Sequence, residues 1–222
     1  MERAHREHEP PPRVRDMPAP RRNESAAGGA IQRVCAWPYR AILALLVWTG
    51  VRPTQLTLLS LALTGVTGAL IVRGSWFAAG LVLLAAGLCD VFDGAVARQR
   101  GEANRSGAFL DSVVDRVSDL ILFSCLFWSL NRGGNEFEAA LALVTLVVSL
   151  SVSHIRAEAE AVGLALSEGL FQRLERFLAL MIGLVVPGTM LPALVLLAAL
   201  GSLTALQRGW SALQGRGSWR KQ

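Results

Sequence analysis

Cysteine and histidine are scarce in this chain, with three of each among 222 residues. Cys35, Cys89 and Cys125 have no metal-ligand spacing, and an odd number of cysteines gives no disulfide framework. Two histidines lie in the polar N-terminal segment, and His154 is more typical of a packed or interfacial side chain than of a substrate contact. The sequence therefore argues against a cysteine–histidine metal site and against a fold held by disulfides.

Polar sequence is concentrated at the ends of the chain, and the middle is strongly apolar. Hydrophobic residues make up 52% of the chain, above the roughly 45–50% of ordinary soluble domains. Residues 1–30 are rich in Pro and Arg and are predicted to be a disordered cytoplasmic leader, with no signal peptide expected. One membrane domain is predicted over 53–207, followed by a basic cytoplasmic tail at 208–222.

Residues 31–52 are predicted to form an interfacial juxtamembrane helix. The apolar run 41–47 is too short to cross a bilayer and is bracketed by Arg40 and Arg52. Six longer apolar segments follow, each close to the roughly 20 residues that a bilayer demands. The predicted fold is therefore all-α and polytopic, with six transmembrane helices preceded by an amphipathic helix. The predicted spans cover about 54–72, 76–98, 107–130, 137–160, 172–190 and 191–207.

Arginine is unevenly distributed between the two sides of the predicted bundle. The leader, the 98–105 loop, the 156–176 stretch and the tail hold nearly all of it, whereas the opposite loops hold only Arg73 and Arg132. The positive-inside rule therefore predicts a multi-pass cell-membrane protein with both termini in the cytoplasm. The net charge is +5, but because the arginines lie between apolar segments, nucleic acid is not a predicted partner.

Four aspartates occupy two successive predicted spans joined by a short loop. Asp90 and Asp93 are three residues apart, and Asp111 and Asp115 are four apart, so each pair lies on one helical face. Carboxylates at this depth are costly and usually functional, and four together require cations. Their oxygens suit two Mg²⁺ or Mn²⁺ ions. Asp119 lies one turn deeper, and both a hydrogen-bonding role beside the site and a purely structural role stay open.

The same residues carry a family resemblance. The complete pattern resembles the signature of the CDP-alcohol phosphotransferase (CDP-alcohol phosphatidyltransferase) family, including the eight-residue gap between its two halves. The segment 53–57 resembles the start of the family's first span, and the predicted architecture over 31–207 is similar to that of the family. The pattern is Asp90-x-x-Asp93-Gly94-x-x-Ala97-Arg98, then Gly107-x-x-x-Asp111-x-x-x-Asp115.

The resemblance implies a phospholipid-synthesis enzyme that transfers a phosphatidyl group from CDP-diacylglycerol to an alcohol and releases CMP. It implies that the four aspartates hold two metal ions, with Asp115 also the catalytic base, and that the enzyme is a homodimer with a cytoplasmic active site. Asn104 stands where the family is expected to have Ser or Thr. The implied CDP-lipid contacts are Pro53, Thr54, Gln55, Leu56, Gly94, Arg98 and Asn104.

The acceptor alcohol is less sharply specified. The segment 153–160 and the pattern Arg173-x-Glu175-Arg176 resemble bacterial phosphatidylinositol phosphate synthases, which implies inositol phosphate as the acceptor. His154 and Glu158 depart from that subfamily, where Tyr and Arg are expected, so glycerol 3-phosphate stays open as the alternative acceptor. The arginines implied to bind the acceptor phosphate are Arg156, Arg176 and, more loosely, Arg208.

A cation transporter or channel is the alternative from a different class, because intramembrane carboxylates would also line an ion path. Such a path should have polar residues along its length, and here they gather at one membrane edge. A non-catalytic scaffold related to the family is a further alternative, but all four signature aspartates are present. The sequence therefore favours the enzyme.

Overall fold

A computed structural model describes residues 17–18, 26–165, 173–213 and 218–219. Within these ranges the chain forms seven helices and one antiparallel pair of two-residue strands, so the predicted all-helical class is confirmed apart from that small pair. The elements are α1 (Ala26–Trp48), α2 (Pro53–Val72), α3 (Trp76–Gln99), α4 (Arg105–Arg132), α5 (Glu136–Ala161), β1 (Leu164–Ala165), α6 (Arg173–Val185), α7 (Met190–Leu213) and β2 (Ser218–Trp219).

The predicted domain boundaries differ from the helix ends at both termini. Helix α1 begins at Ala26, inside the segment predicted as a leader, and α7 continues to Leu213, beyond the predicted last span. Most of the predicted leader and part of the predicted tail lie outside the described residues. Residues 26–30 are all alanine or glycine and give no amphipathic pattern, so the sequence did not mark the start of this helix.

Four helices are long and apolar enough to cross a membrane. They are α2, α3, α5 and the 190–211 portion of α7. Helix α4 is long enough at 28 residues but carries several charged side chains in its first half. The described part of α6 has 13 residues, and the residues just before it lie outside the described ranges. The membrane character of the chain is thus established, and the third and fifth predicted spans remain predictions.

The connection between α3 and α4 places their functional residues at one end of the bundle. Gly101 ends the turn with a φ of 67°, a conformation that glycine adopts without steric cost. Asn104 then caps α4, its side-chain oxygen accepting a hydrogen bond from the Gly107 backbone N–H at 2.7 Å. Helix α2 packs against both α3 and α4 and is their shared neighbour. The two carboxylate-bearing helices therefore meet across a space that α2 borders.

Apolar packing is concentrated in one large cluster of the bundle. The larger core cluster joins α2 to α7 in the half distant from the aspartates, where Ile71, Leu126 and Leu194 have no exposed surface. Close helix contacts there rely on small residues, as at Gly80, where an added Cβ would lie 2.4 Å from Val185. Two cavities adjoin the aspartates, and the larger one extends to Leu83, Leu122 and Leu197 of this cluster.

Helix α1 is fastened to the aspartate-bearing end of α3. The Arg100 side chain donates hydrogen bonds to the carbonyl oxygens of Leu46, Val47 and Val51, at 3.2, 2.8 and 2.7 Å. These carbonyls lie at or just beyond the end of α1, where helix geometry leaves them without partners. A smaller apolar cluster packs beneath the same helix. Sequence patterning did not predict this role for Arg100.

Candidate active site

Three of the four predicted aspartates converge where α3 approaches the start of α4. Asp90, Asp93 and Asp111 each place one carboxylate oxygen so that the oxygens all lie within 4.8 Å of one another. Asp93 is buried, and the other two are half-buried. Oxygen ligands at this spacing suit a divalent cation, which would offset the mutual repulsion of the three charges. The residues present thus fit the divalent-metal site predicted from the sequence.

Asp115 lies one helical turn beyond Asp111 and faces a different space. It lines a cavity of about 740 Å³ together with Asp90 and Arg98, and one of its carboxylate oxygens is buried. We call this space the central cavity. Asp115 is not part of the cluster of three converging oxygens, so the structure places it beside that cluster. Its predicted part in metal binding and proton transfer remains a proposal.

A second space, of about 610 Å³, lies on the other side of the aspartates and is called the outer pocket here. The first residues of α2 and α4 border it, and helix N-termini favour anions such as phosphate. Asp93 and Asp111 line the outer pocket, Asp90 and Asp115 line the central cavity, and Arg98 lines both. The carboxylates therefore form the partition between the two spaces. Of the predicted CDP-lipid contacts, the outer pocket includes Pro53, Thr54, Gly94, Arg98 and Asn104.

Gln55 and Leu56 have other contacts. The Gln55 side-chain oxygen accepts a hydrogen bond from the Arg52 backbone N–H at 2.9 Å, which caps the start of α2. Leu56 is buried in the apolar cluster beneath α1. Neither residue lines the outer pocket or the central cavity. Their contact with a CDP-lipid stays a prediction, and the structure gives both residues a packing or capping role.

Thr57 holds the most buried carboxylate in place. Its hydroxyl donates a hydrogen bond of 2.6 Å to Asp93 Oδ2, and both side chains are buried. A partner that orients a metal ligand commonly matters nearly as much as the ligand itself. The sequence prediction of CDP-lipid contacts for this segment stopped at Leu56. The Thr57 hydroxyl also lies 3.2 Å from the Pro53 carbonyl oxygen, the own-helix partner that is usual for a threonine in an apolar helix. Thr57 is accordingly a candidate functional residue that sequence reasoning missed.

Gly94 and Tyr39 shape the position of Arg98. A Cβ added to Gly94 would lie 3.1 Å from Arg98 Nη1, so the guanidinium packs directly over this glycine. The Tyr39 ring stacks on Phe92 with 5.1 Å between centroids, and its hydroxyl lies near the Arg98 guanidinium. Burial raises the pKa of Tyr39, and Arg98 opposes that effect. Helix α1 thus reaches the partition between the two spaces through Tyr39.

The three predicted acceptor arginines approach one another but have different surroundings. Arg176 lines the central cavity and donates a hydrogen bond of 2.5 Å to the Ser149 hydroxyl. Arg156 is exposed and pairs with Glu160 at 2.9 Å. Arg208 lies within electrostatic range of both arginines. Only Arg176 of these three lines the central cavity, as far as the described residues define its wall.

The two departures from the synthase subfamily face outward together. His154 Nδ1 lies 3.9 Å from Glu158 Oε1, and both side chains are mostly exposed, at 73% and 68%. They form a surface pair one helical turn apart on α5. Because neither lines the central cavity, the acidic residue does not oppose an acceptor phosphate from within it. The sequence-based objection to inositol phosphate was an acidic side chain near the acceptor, and the structure places that side chain at the surface.

These features define a class of protein. Apolar helices surround a carboxylate cluster suited to a divalent metal, with a phosphate-favouring pocket on one side and a largely apolar cavity on the other. This arrangement belongs to a metal-dependent membrane transferase acting on phosphate-linked lipids. Residues 50–207 match the sequence profile of the CDP-alcohol phosphatidyltransferase family, and the chain belongs to that family.

Individual relatives agree with this assignment. The chain is 38% identical to a phosphatidylinositol phosphate synthase of Corynebacterium glutamicum over 174 residues, covering 74% of this chain and 78% of that one. It is 39% identical to an archaetidylinositol phosphate synthase of Methanothermobacter thermautotrophicus over 141 residues, covering 61% and 69%. Both relatives are named as synthases of an inositol phosphate lipid.

Solved structures show the same fold. The crystal structure of Mycobacterium tuberculosis phosphatidylinositol phosphate synthase with CDP-DAG bound has a TM-score of 0.71 and 31% sequence identity, covering 78% of this chain and 92% of that one. The same protein in complex with manganese and citrate has a TM-score of 0.69 and 30% identity, covering 78% and 88%. The chain is therefore a divalent-metal-dependent enzyme of phospholipid biosynthesis, and the transporter and scaffold alternatives are rejected.

Proposed function

We propose that this enzyme transfers the phosphatidyl group of CDP-diacylglycerol to a hydroxyl of inositol phosphate and releases CMP. The observation that carries the proposal is Arg176, which lines the same cavity as Asp90 and Asp115. A guanidinium in a largely apolar cavity suits an acceptor that carries a phosphate group. The named relatives support the same acceptor, because their lipids differ while inositol phosphate is common to both names.

The donor nucleotide occupies the outer pocket in this proposal. The backbone N–H groups at the start of α4 and the Arg98 guanidinium favour the diphosphate. Gly94 carries no Cβ, so the Arg98 guanidinium can lie directly over it, beside the aspartates and the bound diphosphate. Arg98 lines both spaces, so it contacts the diphosphate next to the phosphorus that is transferred. The acyl chains then extend between the helices toward the bilayer.

The four aspartates hold two Mg²⁺ ions in this proposal, with Mn²⁺ as the alternative. Asp90, Asp93 and Asp111 supply the converging oxygens, and Asp115 contributes from the next turn of α4. When bound, such ions neutralise the diphosphate and polarise its phosphorus–oxygen bonds. Thr57 keeps Asp93 in the orientation that ligation requires.

Asp115 acts as the general base. Its carboxylate borders the central cavity, where it can accept the proton of an acceptor hydroxyl. The acceptor oxygen then bonds to the phosphorus that carries diacylglycerol, and the bond from that phosphorus to the bridging oxygen of CMP breaks. The proton remains on Asp115, and CMP departs with the bridging oxygen. Arg176 holds the acceptor phosphate, with Arg156 and Arg208 near the cavity mouth.

The orientation proposed for the enzyme follows from where its arginines lie. The end of the bundle that carries the aspartates also carries Arg52, Arg98 and Arg105, whereas the opposite turns carry Arg73 and Arg132. This distribution supports a cytoplasmic active site and cytoplasmic termini. In this proposal the chain crosses the membrane six times, helix α1 lies in the membrane interface, and two chains form a homodimer. Labelling of single cysteines at positions 74 and 102 with an impermeant maleimide tests the sidedness, and chemical cross-linking tests the dimer.

An acceptor screen tests the proposed reaction. Purified protein with CDP-diacylglycerol and Mg²⁺ or Mn²⁺ is given inositol phosphate, glycerol 3-phosphate, inositol or serine, and released CMP is measured. We expect metal-dependent CMP release that requires inositol phosphate and yields a phosphatidylinositol phosphate. If glycerol 3-phosphate were the only acceptor that supports turnover, the proposed reaction type would stand and the proposed acceptor would be wrong. Turnover with inositol or serine but with neither phosphorylated acceptor would remove the role of Arg176 in phosphate binding.

A further inference from the structure

A polar chain of three side chains crosses the wall of the central cavity. Asp119 of α4, Ser149 of α5 and Arg176 of α6 are joined by two successive hydrogen bonds. Resting on the proposed function, we infer that Asp119 and Ser149 form a positioning pair that fixes the Arg176 guanidinium for the acceptor phosphate. The two residues act through Arg176 and determine how tightly the phosphorylated acceptor binds.

The hydrogen-bond chemistry gives this chain a single direction. An arginine only donates, an ionised carboxylate only accepts, and a serine hydroxyl has one proton to give. Arg176 Nη1 therefore donates to Ser149 Oγ, and Ser149 Oγ donates to Asp119 Oδ2, at 2.5 Å each. Ser149 thus has its proton and one lone pair committed. Because Asp119 fixes the orientation of the Ser149 hydroxyl, the lone pair that accepts from Arg176 has a fixed direction, which restricts the position of the guanidinium.

Burial makes the arrangement costly to break. Ser149 has 3% of its surface exposed, and all three residues line the central cavity. Arg176 is half-buried in the wall of a largely apolar cavity, where a cation needs a compensating charge, and Asp119 supplies it through the serine instead of by direct contact. A direct arginine–carboxylate pair would typically engage two guanidinium N–H groups. The serine bridge engages Nη1, and the buried Nε has no hydrogen-bond partner among the described residues.

The position of Asp119 ties this cation to the catalytic base. Asp115 and Asp119 are four residues apart on α4, about 6 Å along the axis and on the same face. The helix backbone therefore fixes the base relative to the group that anchors Arg176. An acceptor with its phosphate at Arg176 would bring its hydroxyl toward Asp115. From the sequence the role of Asp119 is open between hydrogen bonding and structure, and Ser149 has no signal that singles it out.

Removing the Ser149 hydroxyl tests the positioning pair. Ser149→Ala should raise the KM for inositol phosphate about tenfold, the usual effect of losing a hydrogen bond to a charged group, while the KM for CDP-diacylglycerol changes less than about twofold. Ser149→Thr, which keeps a hydroxyl, should restore most of the affinity. Ser151→Ala is the matched control, because the Ser151 hydroxyl bonds only to the Val147 carbonyl of its own helix among the described contacts. Asp119→Asn, the second variant if Ser149→Ala does not fold, should raise the same KM about threefold.

A double-mutant cycle separates positioning from general packing. In an Arg176→Ala background, Ser149→Ala should have almost no further effect on the KM for inositol phosphate, because the residue it positions is absent. Full additivity, or an unchanged acceptor KM in Ser149→Ala and Asp119→Asn, would overturn the positioning pair. Failure of the proposed acceptor is a separate result, because wild-type protein would then show no turnover with inositol phosphate. The cycle would in that case be run with the acceptor that the screen identifies, and additivity there would equally overturn the pair.

Discussion

The two sides of the active site are built in different ways. The metal and nucleotide side draws its carboxylates and Arg98 from residues 90–115, where helical spacing alone places them on facing stripes. The acceptor side draws Asp119, Ser149 and Arg176 from three helices that are distant in sequence. A local motif is readable from its spacing, whereas a site assembled from distant helices depends on tertiary packing. Chemistry is therefore easier to predict in this enzyme than specificity.

The largest expected effect comes from the metal side. Asp111→Asn should lower turnover by about a thousandfold or more, because it removes one of three converging ligands. The same variant should raise the melting temperature of the metal-free protein, since it removes repulsion among clustered carboxylates. Turnover and thermal unfolding in detergent measure the two effects. Glu136→Gln, an exposed acidic residue at the far end of the bundle, is the control and should change neither. Turnover in Asp111→Asn equal to that of the wild type would contradict the role of Asp111 as a metal ligand.

A selective loss on the acceptor side should be the next largest. Arg176→Ala should raise the KM for inositol phosphate about a hundredfold, because a charged hydrogen-bonding partner of the phosphate is lost. The KM for CDP-diacylglycerol should change little, since Arg176 does not line the outer pocket. Steady-state kinetics with each substrate varied in turn gives both values. Arg73→Ala, at an exposed turn of the opposite end, is the matched control. Equal increases in both KM values would contradict a division between the two sides.

Thr57 tests how far the metal side extends beyond its signature. Thr57→Val keeps the side-chain shape but removes the hydrogen bond to Asp93, so the concentration of Mn²⁺ giving half-maximal activity should rise about tenfold. Thr57→Ser retains the hydroxyl and should behave nearly as the wild type. Metal titrations of activity for the three proteins make the comparison. An unchanged metal requirement in Thr57→Val would assign Thr57 to packing alone.

The smallest effect is expected at Gly94. Gly94→Ala places a Cβ 3.1 Å from Arg98 Nη1, so the flexible guanidinium must move by a few tenths of an ångström. The KM for CDP-diacylglycerol should rise roughly threefold without loss of stability, because alanine favours a helix by up to about 1 kcal/mol. Gly65→Ala, also within a helix, meets no atom within 4 Å and should leave the kinetics unchanged. A larger rise in the KM for inositol phosphate than in the KM for CDP-diacylglycerol would contradict the placement of Gly94 on the donor side.

Particular residues show where sequence reasoning succeeded and where it stopped. The convergence of Asp90, Asp93 and Asp111 followed from helical periodicity and a short connection, both of which are local. The Thr57–Asp93 and Ser149–Asp119 bonds join residues 36 and 30 positions apart, and hydroxyl residues in apolar helices usually bond to their own backbone. Because each of these bonds joins two different helices, the spacing of residues within one helix does not predict it.

Two features of the fold have an ambiguous signal in the sequence. Helix α4 was predicted as a span from its length and apolar second half, but the charges of its first half give it an intermediate character. The arginine distribution predicted the side of the membrane, yet did not separate Arg176, which enters the cavity, from Arg156, which pairs with Glu160 at the surface. Both arginines lie in the same arginine-containing stretch, 156–176, so the sequence does not distinguish them. Their packing does.

Direct measurement of metal binding tests the central claim, that aspartates from two successive helices form one divalent-metal site between donor and acceptor. Electron paramagnetic resonance of Mn²⁺ titrated into purified protein with CDP-diacylglycerol should show two bound ions per chain, and Asp93→Asn should abolish or severely weaken that binding. Mn²⁺ binding of the same stoichiometry and affinity in Asp93→Asn and in the wild type would contradict the account.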